Sequence, residues 1–447
     1  MSDFAYAYAR PSALEARPEG NALLLSAFAE EQASTGTSCF FWGRLRDSWL
    51  AARSLSTLAK VVASRFVPQS AALRDPIVTA GAGQLRFESF SSCNGVYARL
   101  DLNSEALDGE FLSSGTTNVD FNEPMVNALA RIARTEPVLL SVGEKEVTLE
   151  RAAGKVVERK VALPERWIKG LTSVQAYLAL MEEKLRLTRV QAMQLMQSLP
   201  AGAAKTDYFL VLRGPRPSFS PVPSAGAVRI GGGHRLRLLE GLLPLCEAVR
   251  VFATPDEQSS AFVLELGGGQ RFLLALSADV WRGFSGEGNQ LDTLMEELPA
   301  EWVVGANRLF RGNEVFNPSV FALENDLAPN TVDRLCASLS AMGLLGFDLA
   351  DNQHFYRRLP FKMGRIVSLN PRLKNARALL EATDDVQLVG IGAGGRTEVL
   401  VRGTGVWHTV VVGGSENTRC TCSWFSGQQG QRGPCKHILA AQMRFAR

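Results

Sequence analysis

The sequence has no apolar run near the roughly 20 residues that a membrane-spanning helix needs. Its opening stretch, MSDFAYAYARPSALEARPEG, carries charges where a secretory signal requires continuous apolar residues. It also has no excess charge of one sign, because 48 lysines and arginines balance 45 aspartates and glutamates, giving a net charge of +3. These absences argue against membrane and histone-like proteins and predict a cytoplasmic chain with no membrane partner.

Histidine and cysteine are scarce, with four and seven residues in 447. The odd cysteine count and the isolated positions of most of them fit no disulfide framework, which again favours a reducing compartment. Three cysteines are clustered near the C-terminus. In a cytoplasmic protein, clustered thiols most often bind metal. The four isolated cysteines are Cys39, Cys93, Cys246 and Cys336.

Motifs of the common enzyme classes are also absent. The sequence contains no Gly-x-Ser-x-Gly elbow, no His-Glu-x-x-His helix and no paired-histidine site. The glycine-rich stretch 390–395 precedes the strand-like TEVLVRG rather than a helix, so we expect a turn between strands instead of a phosphate loop. Cys93 is expected to be a buried thiol rather than a nucleophile. We therefore expect a protein that is not an enzyme.

The patterning predicts a multidomain α+β chain. We expect a mixed scaffold over residues 1–215 and a hairpin-containing domain over 216–300, separated by the linker-like stretch GPRPSFSPVPSAG. A winged-helix-like segment is predicted at 301–362, and a β-rich segment at 363–447 that ends in a ββα zinc finger at about 395–447.

The winged-helix-like segment gives a mixed indication of nucleic-acid binding. The face of its helix expected to be exposed includes Ser338 and Ala341 but only one cation, which favours a structural or protein-contact role over DNA reading. Arg357 and Arg358, on the second predicted strand, keep the DNA alternative open.

The C-terminal segment contains a metal-binding pattern. Two thiols two residues apart on a strand point to the same face, and a Cys-x-His pair at the start of a helix can face the same ion. Three thiolates and one imidazole form a closed tetrahedral set for a single structural Zn²⁺, with no open position for a substrate water. The predicted ligands are Cys420, Cys422, Cys435 and His437.

This pattern resembles the SWIM zinc finger, Cys-x-Cys followed by a variable gap and Cys-x-His. The surrounding words RCTCS and GPCKHILA are similar to the two halves of that family. The resemblance implies a module that contacts nucleic acid or another protein. Upstream, FESFSSCNGVYARLDL, GTTNVDFN and LPERWIKG resemble bacterial SWIM proteins, which are often encoded beside a MoxR-type AAA+ ATPase and a von Willebrand A-domain protein. That likeness implies a partner complex and no reaction.

Two functional hypotheses follow. The first is a non-enzymatic, zinc-stabilised adaptor, and the second is a nucleic-acid-binding protein that uses the basic C-terminal face. An enzyme with an unrecognised N-terminal site is a remote third. Trp424 and Phe425 are expected to be core of the finger more than stacking platforms, and His408 a half-exposed strand residue, with contact to the metal ligands as the alternative. The candidate contact residues are Arg419, Arg432, Lys436 and Arg444.

Overall fold

The computed structural model describes the chain in parts. These parts are residues 13–17, 20–24, 39–66, 76–163, 165–199, 202, 207–257, 259–277, 283–284, 315–324, 326–357, 359, 371–382, 384–392, 395–413, 418–428 and 433–445. Within them, helices alternate with strands that form several separate sheets. The predicted α+β, multidomain class is confirmed. No helix among these residues is long and apolar enough to cross a bilayer.

The helices of the described ranges are amphipathic or buried, and α1 shows why one begins where it does. Asp47 accepts a hydrogen bond from the Leu50 backbone amide at 2.9 Å, which caps the first turn. The helices are α1 (Ser48–Ala63), α2 (Glu123–Ala130), α3 (Glu165–Leu180), α4 (Arg189–Gln197), α5 (Pro318–Glu324), α6 (Pro329–Ala341), α7 (Pro371–Glu381), α8 (Ser423–Gln428) and α9 (Lys436–Phe445), with short 3-10 helices at Ser104–Ala106, Gly233–Leu239 and Leu243–Leu245.

The strands of the described ranges pair antiparallel throughout. They are β1 (Ala13–Arg17), β2 (Gly20–Leu24), β3 (Cys39–Leu45), β4 (Ile77–Gly81), β5 (Gln84–Phe90), β6 (Val96–Leu102), β7 (Leu107–Phe111), β8 (Gly115–Asn118), β9 (Leu139–Gly143), β10 (Glu146–Arg151), β11 (Gly154–Arg159), β12 (Glu182–Thr188), β13 (Tyr208–Arg213), β14 (Arg216–Ser220), β15 (Val228–Ile230), β16 (Ala248–Ala253), β17 (Ser259–Gly267), β18 (Gln270–Ser277), β19 (Val315–Phe316), β20 (Leu345–Asp348), β21 (Gln353–Tyr356), β22 (Val386–Ile391), β23 (Thr397–Arg402), β24 (Trp407–Val412) and β25 (Arg419–Cys420).

An eight-stranded sheet forms the centre of the molecule, in the order β12-β16-β17-β18-β6-β5-β4-β8. Helix α1 packs against β5 and β6 on one face, where side chains such as Leu85, Phe87 and Leu100 belong to the largest core. A five-stranded sheet, β11-β10-β9-β3-β7, contributes to the same core. The second face packs on α3, whose Trp167 and Leu171 are fully buried. Both faces are therefore covered.

The central sheet includes strands from both sides of residues 215/216, where the sequence predicts a division between two domains; that division stays a prediction. Strand β18, from the segment assigned to a second domain, pairs with β6 from the segment assigned to the first. The predicted linker does not separate them, because Arg216–Ser220 pairs with β13 as a hairpin. A composition rich in proline and serine resembles a linker, but at an edge strand proline needs no ladder hydrogen bond.

The segment from β19 to β21 contains the predicted helix followed by two strands. Its helix α6 begins after Ala328, with Pro329 in the first turn. Ser338 and Ala341, expected on the exposed face of α6, are buried, because α6 also packs against α3. The winged-helix assignment of this segment stays a prediction.

A buried ion network joins this segment to the central sheet. On β5 and β6, alternate side chains that face the β20–β21 hairpin are charged, and Arg86, Glu88 and Arg99 are all buried. Arg357, expected as a possible DNA contact, is also buried and pairs with Glu88, so the structure corrects that expectation. Its partner Arg358 lies outside the described residues. Arg99 also donates to the Phe347 carbonyl at 2.7 Å.

Candidate metal centre

The C-terminal unit has a core of its own. Strands β22-β23-β24-β25 form a four-stranded sheet, and α9 packs against β23 and β24. Helix α7 lies against α9 and adds Leu373 and Ala376 to this core. The sequence pattern of the finger did not reveal that α7 belongs to it, because the helix lies upstream of the motif. The unit thus comprises two strands and a helix, as predicted, plus β22, β25, α7 and the short α8.

The four predicted ligands are positioned by three element ends. Cys420 lies on β25, which pairs with β24 through Val410. Cys422 immediately precedes α8, and Cys435 immediately precedes α9, whose first turn holds His437. All four side chains are buried. The sheet edge therefore supplies one thiol, and two helix starts supply the other three groups.

The ligand atoms of these residues lie within 4.8 Å of one another. The Nδ1 atom of His437 is 3.8 Å from the Cys420 sulfur and 3.9 Å from the Cys435 sulfur. A tetrahedral Zn²⁺, with bonds of about 2.3 Å to sulfur and about 2.0 Å to nitrogen, places its ligands about 3.5–3.8 Å apart. The Cys/Cys/Cys/His cluster is therefore compatible with one structural zinc ion, which confirms the predicted cofactor.

Backbone amides point at each of the three sulfurs. The amide of Cys422 donates to Cys420 at 3.4 Å, that of Phe425 donates to Cys422 at 3.4 Å, and that of Ile438 donates to Cys435 at 3.5 Å. Such donors stabilise sulfur in its anionic form, which is the form that binds metal. The chain around the cluster is thus arranged for thiolates rather than thiols.

The thiol pKa values show what a cation must add. A hydrogen bond from Cys420, helped by His437 and the Ile438 amide, lowers the pKa of Cys435 to about 4. The same hydrogen bond, together with burial, raises the pKa of Cys420, and burial raises that of Cys422. One thiolate forms readily, and the other two require a nearby positive charge. A bound Zn²⁺ would supply it.

His408 touches the cluster from β24. Its ring centroid lies 4.4 Å from that of His437, and the side chain is half-buried. Burial, and then the neighbouring His437, lower the pKa of His408. Both expectations for this residue hold together, since it is half-exposed and also packs on a predicted ligand. Gly403 leaves the space, because a Cβ there would lie 2.5 Å from the His408 Nε2 atom.

The predicted contact residues are spread over the surface of this unit. Arg419 and Arg444 are exposed and Lys436 is half-buried, while Arg432 lies outside the described residues. Trp424 is half-buried against the core, as expected for a core residue. Arg372 of α7 lies over its ring at 4.7 Å and donates to the Pro434 carbonyl at 2.8 Å. This arginine, which the motif did not point to, ties α7 to both halves of the cluster.

In the part of the chain that the structure describes, this is the one group of three or more His, Cys, Asp or Glu residues able to hold a metal. The isolated cysteines lie elsewhere. Cys93 is buried, as expected, with its sulfur 3.4 Å from the Ser91 hydroxyl. Burial raises the pKa of Cys336 to about 12 and also raises that of Cys246, so neither forms a thiolate at neutral pH.

Comparison with known proteins agrees with this geometry. The SWIM zinc finger family matches residues 408–441. No curated protein sequence matches the chain. Among solved structures, the PCNA2–PCNA3 complex from Sulfolobus tokodaii has a TM-score of 0.38 and 9% identity, covering 54% of this chain and 99% of its own. Proliferating Cellular Nuclear Antigen from Entamoeba histolytica has a TM-score of 0.35 and 11% identity, covering 54% and 98%. Likeness this weak supports no conclusion about fold or function.

Proposed function

Because its C-terminal unit contains a SWIM zinc finger, we propose that this protein is a non-enzymatic, zinc-stabilised adaptor. The observation that carries the proposal is the closed donor set, in which four buried side chains surround one position. A catalytic zinc needs an open coordination site for water or substrate, and a Cys₃His set leaves none. The metal then stabilises a binding surface and performs no chemistry.

A protein partner is favoured over a nucleic acid by the arrangement of charge. Arg357 is paired with Glu88 in the interior, so it cannot reach a phosphate. Arg372 is engaged with Trp424 and Pro434, which removes a cation and an aromatic ring from any stacking surface. We propose that the partner complex contains a MoxR-type AAA+ ATPase and a von Willebrand A-domain protein, as the likeness to bacterial SWIM proteins implies.

Nucleic-acid binding is the second candidate, and one observation favours it. Lys374 and Arg377 are exposed on α7, which packs on α9, so the C-terminal unit carries exposed cations on α7 in addition to Arg419 and Arg444. Exposed cations bind phosphates through counterion release, with affinity that falls steeply as salt increases.

Affinity purification of the full chain from native cells, with and without nuclease, distinguishes the two. The adaptor proposal expects the ATPase and A-domain proteins to be retained after nuclease and at raised salt. Loss of all partners after nuclease would contradict it. The variant Lys374→Ala with Arg377→Ala should leave adaptor capture unchanged but should weaken binding to generic DNA, if nucleic acid is the partner. Lys145→Ala with Lys155→Ala, two exposed lysines in the turn before β10 and on β11, is the matched control.

A further inference from the structure

Strand β22 forms an open edge of the C-terminal sheet. It pairs with β23 on one side, and among the described residues no strand pairs with its other side. Its six residues, Val-Gln-Leu-Val-Gly-Ile, include no charge and no proline. Natural edge strands are normally protected by lysine, proline, a bulge or a cover, because unpaired backbone groups beside apolar side chains attract another strand. Of the lysine, proline and bulge devices, β22 has only a bulge.

The edge is apolar as well as open. Ile391 is 71% exposed, Val389 56% and Leu388 47%. The register explains how this surface forms, because the ladder skips Val389 between Leu388 and Gly390. This bulge places Leu388 and Ile391, three residues apart, on the face that β23 buries through Val399 and Thr397. Helix α9 covers β23 and β24, and the apolar face continues past the helix to β22, where Leu388 and Ile391 are exposed.

The flanks of the strand carry opposite charges. Glu381 and Asp384 are exposed before its start, and Arg396 is exposed after its end. In an antiparallel pair of identical strands, the start of each lies beside the end of the other. The acidic flank of one copy would then meet Arg396 of the second copy at both ends of the pair. A two-fold pairing centred on Leu388 and Val389 also sets Val386 against Ile391, both from the helix-covered face.

From this self-complementarity we infer that β22 is a dimer interface, which pairs antiparallel with β22 of a second copy. The two four-stranded sheets become one continuous eight-stranded sheet across the dimer axis. Each dimer then presents two zinc fingers, and two partner sites, to its complex. The interface is one strand wide, so the dimer is expected to form and dissociate with concentration.

Sedimentation velocity of the full, zinc-loaded chain tests the inference. Between about 1 µM and about 100 µM, wild type should shift from monomer to dimer. Ile391→Lys should raise the dimer dissociation constant by about tenfold or more, because it places a charge at the pairing edge. Val406→Lys is the matched control, since this valine is 55% exposed in the same unit but lies off the edge strand. Zinc content and circular dichroism should be unchanged in both variants.

A charge exchange tests the orientation. Arg396→Glu should weaken the dimer, and adding Glu381→Arg should restore it, since the pair is then complementary again. A wild type that stays monomeric throughout overturns the inference, as does a dimer that Ile391→Lys and Val406→Lys affect equally. A monomer whose partner capture is lost in Ile391→Lys also overturns it, and would assign the edge to a strand of another protein.

Discussion

At the scale of single residues, the metal centre depends on the ionisation of three thiols. Only Cys435 has a pKa lowered by its neighbours, while burial and the shared hydrogen bond hold the other two thiols protonated. Zinc binding at neutral pH must therefore release protons, and the energy of the zinc bonds offsets that cost. The His437 ring lies between the sulfurs of Cys420 and Cys435 on one side and His408 on the other.

We predict that Cys435→Ser abolishes most zinc binding, because a serine hydroxyl does not replace the thiolate that forms most readily. The zinc content measured by elemental analysis should fall from about one ion per chain to a small fraction of that. Limited proteolysis should then cut within the C-terminal unit and leave the central sheet intact. Cys39→Ser, at a half-buried thiol distant in sequence, should keep its zinc. Full zinc content in Cys435→Ser would refute the ligand assignment.

A second prediction concerns His354, where burial lowers the imidazole pKa from 6.5 to about 4. Above pH 6.5 the ring is neutral in both folded and unfolded chains, so its contribution to stability is complete. Between pH 6.5 and pH 4 only the unfolded chain gains a proton, and stability falls by about 3 kcal/mol.

The substitution His354→Phe should remove this part of the acid sensitivity. Urea unfolding of wild type and variant at pH 7 and pH 4.5 measures it, with each difference taken relative to pH 7. His234→Phe is the comparison variant. Burial also lowers the pKa of the His234 imidazole, but this side chain is only half-buried. An identical pH dependence in wild type and His354→Phe would contradict the assignment.

At the scale of elements, the β20–β21 hairpin is fixed to the central sheet by charge. Arg357 pairs with Glu88, which also accepts a 2.6 Å hydrogen bond from the Tyr97 hydroxyl. Arg99 contacts Asp101 at 2.9 Å and Asp348 at 3.5 Å, so the hairpin and β6 share the same buried ions. Arg357, a possible DNA contact in the sequence, instead holds two elements together.

We predict that Arg357→Met destabilises the fold by about 3–5 kcal/mol, because it leaves the Glu88 carboxylate buried without its cation. Adding Glu88→Leu should recover much of this loss, since replacing both partners removes the uncompensated charge. Chemical unfolding followed by tryptophan fluorescence measures the three free energies. A double variant as unstable as the single one would indicate that packing, and not charge, accounts for the cost.

At the scale of the whole molecule, two parts of the structure bury separate cores. The core cluster that contains the three ligand cysteines is made only of residues from Leu373 onward. The central sheet, by contrast, shares a core with α3 and with Phe347 and Leu349 of the hairpin segment. A bound metal is therefore expected to stabilise the C-terminal unit more than the central sheet.

A strong chelator should expose this independence. We predict that metal removal lowers the melting temperature of the C-terminal unit and leaves the main transition unchanged, because a metal bound only to the folded unit stabilises only that unit. Differential scanning calorimetry before and after chelation provides the measurement. Cys435→Ser should show no further change with chelator. A single transition that shifts as a whole would mean that the cores unfold together.

The sequence alone determined the chemistry of the metal centre and the local elements around it. Thiol spacing, a Gly-Pro before Cys435 and the alternation of the strands are local properties, and they predicted a structural zinc site and an α+β chain. The β17–β18 hairpin lies in the segment that the sequence predicted to contain one. What only the tertiary structure decided depends on contacts between distant segments. The continuous sheet across residue 215, the burial of Arg357 and Ser338, and the attachment of α7 to the finger all depend on which surfaces meet, and local sequence pattern does not encode that.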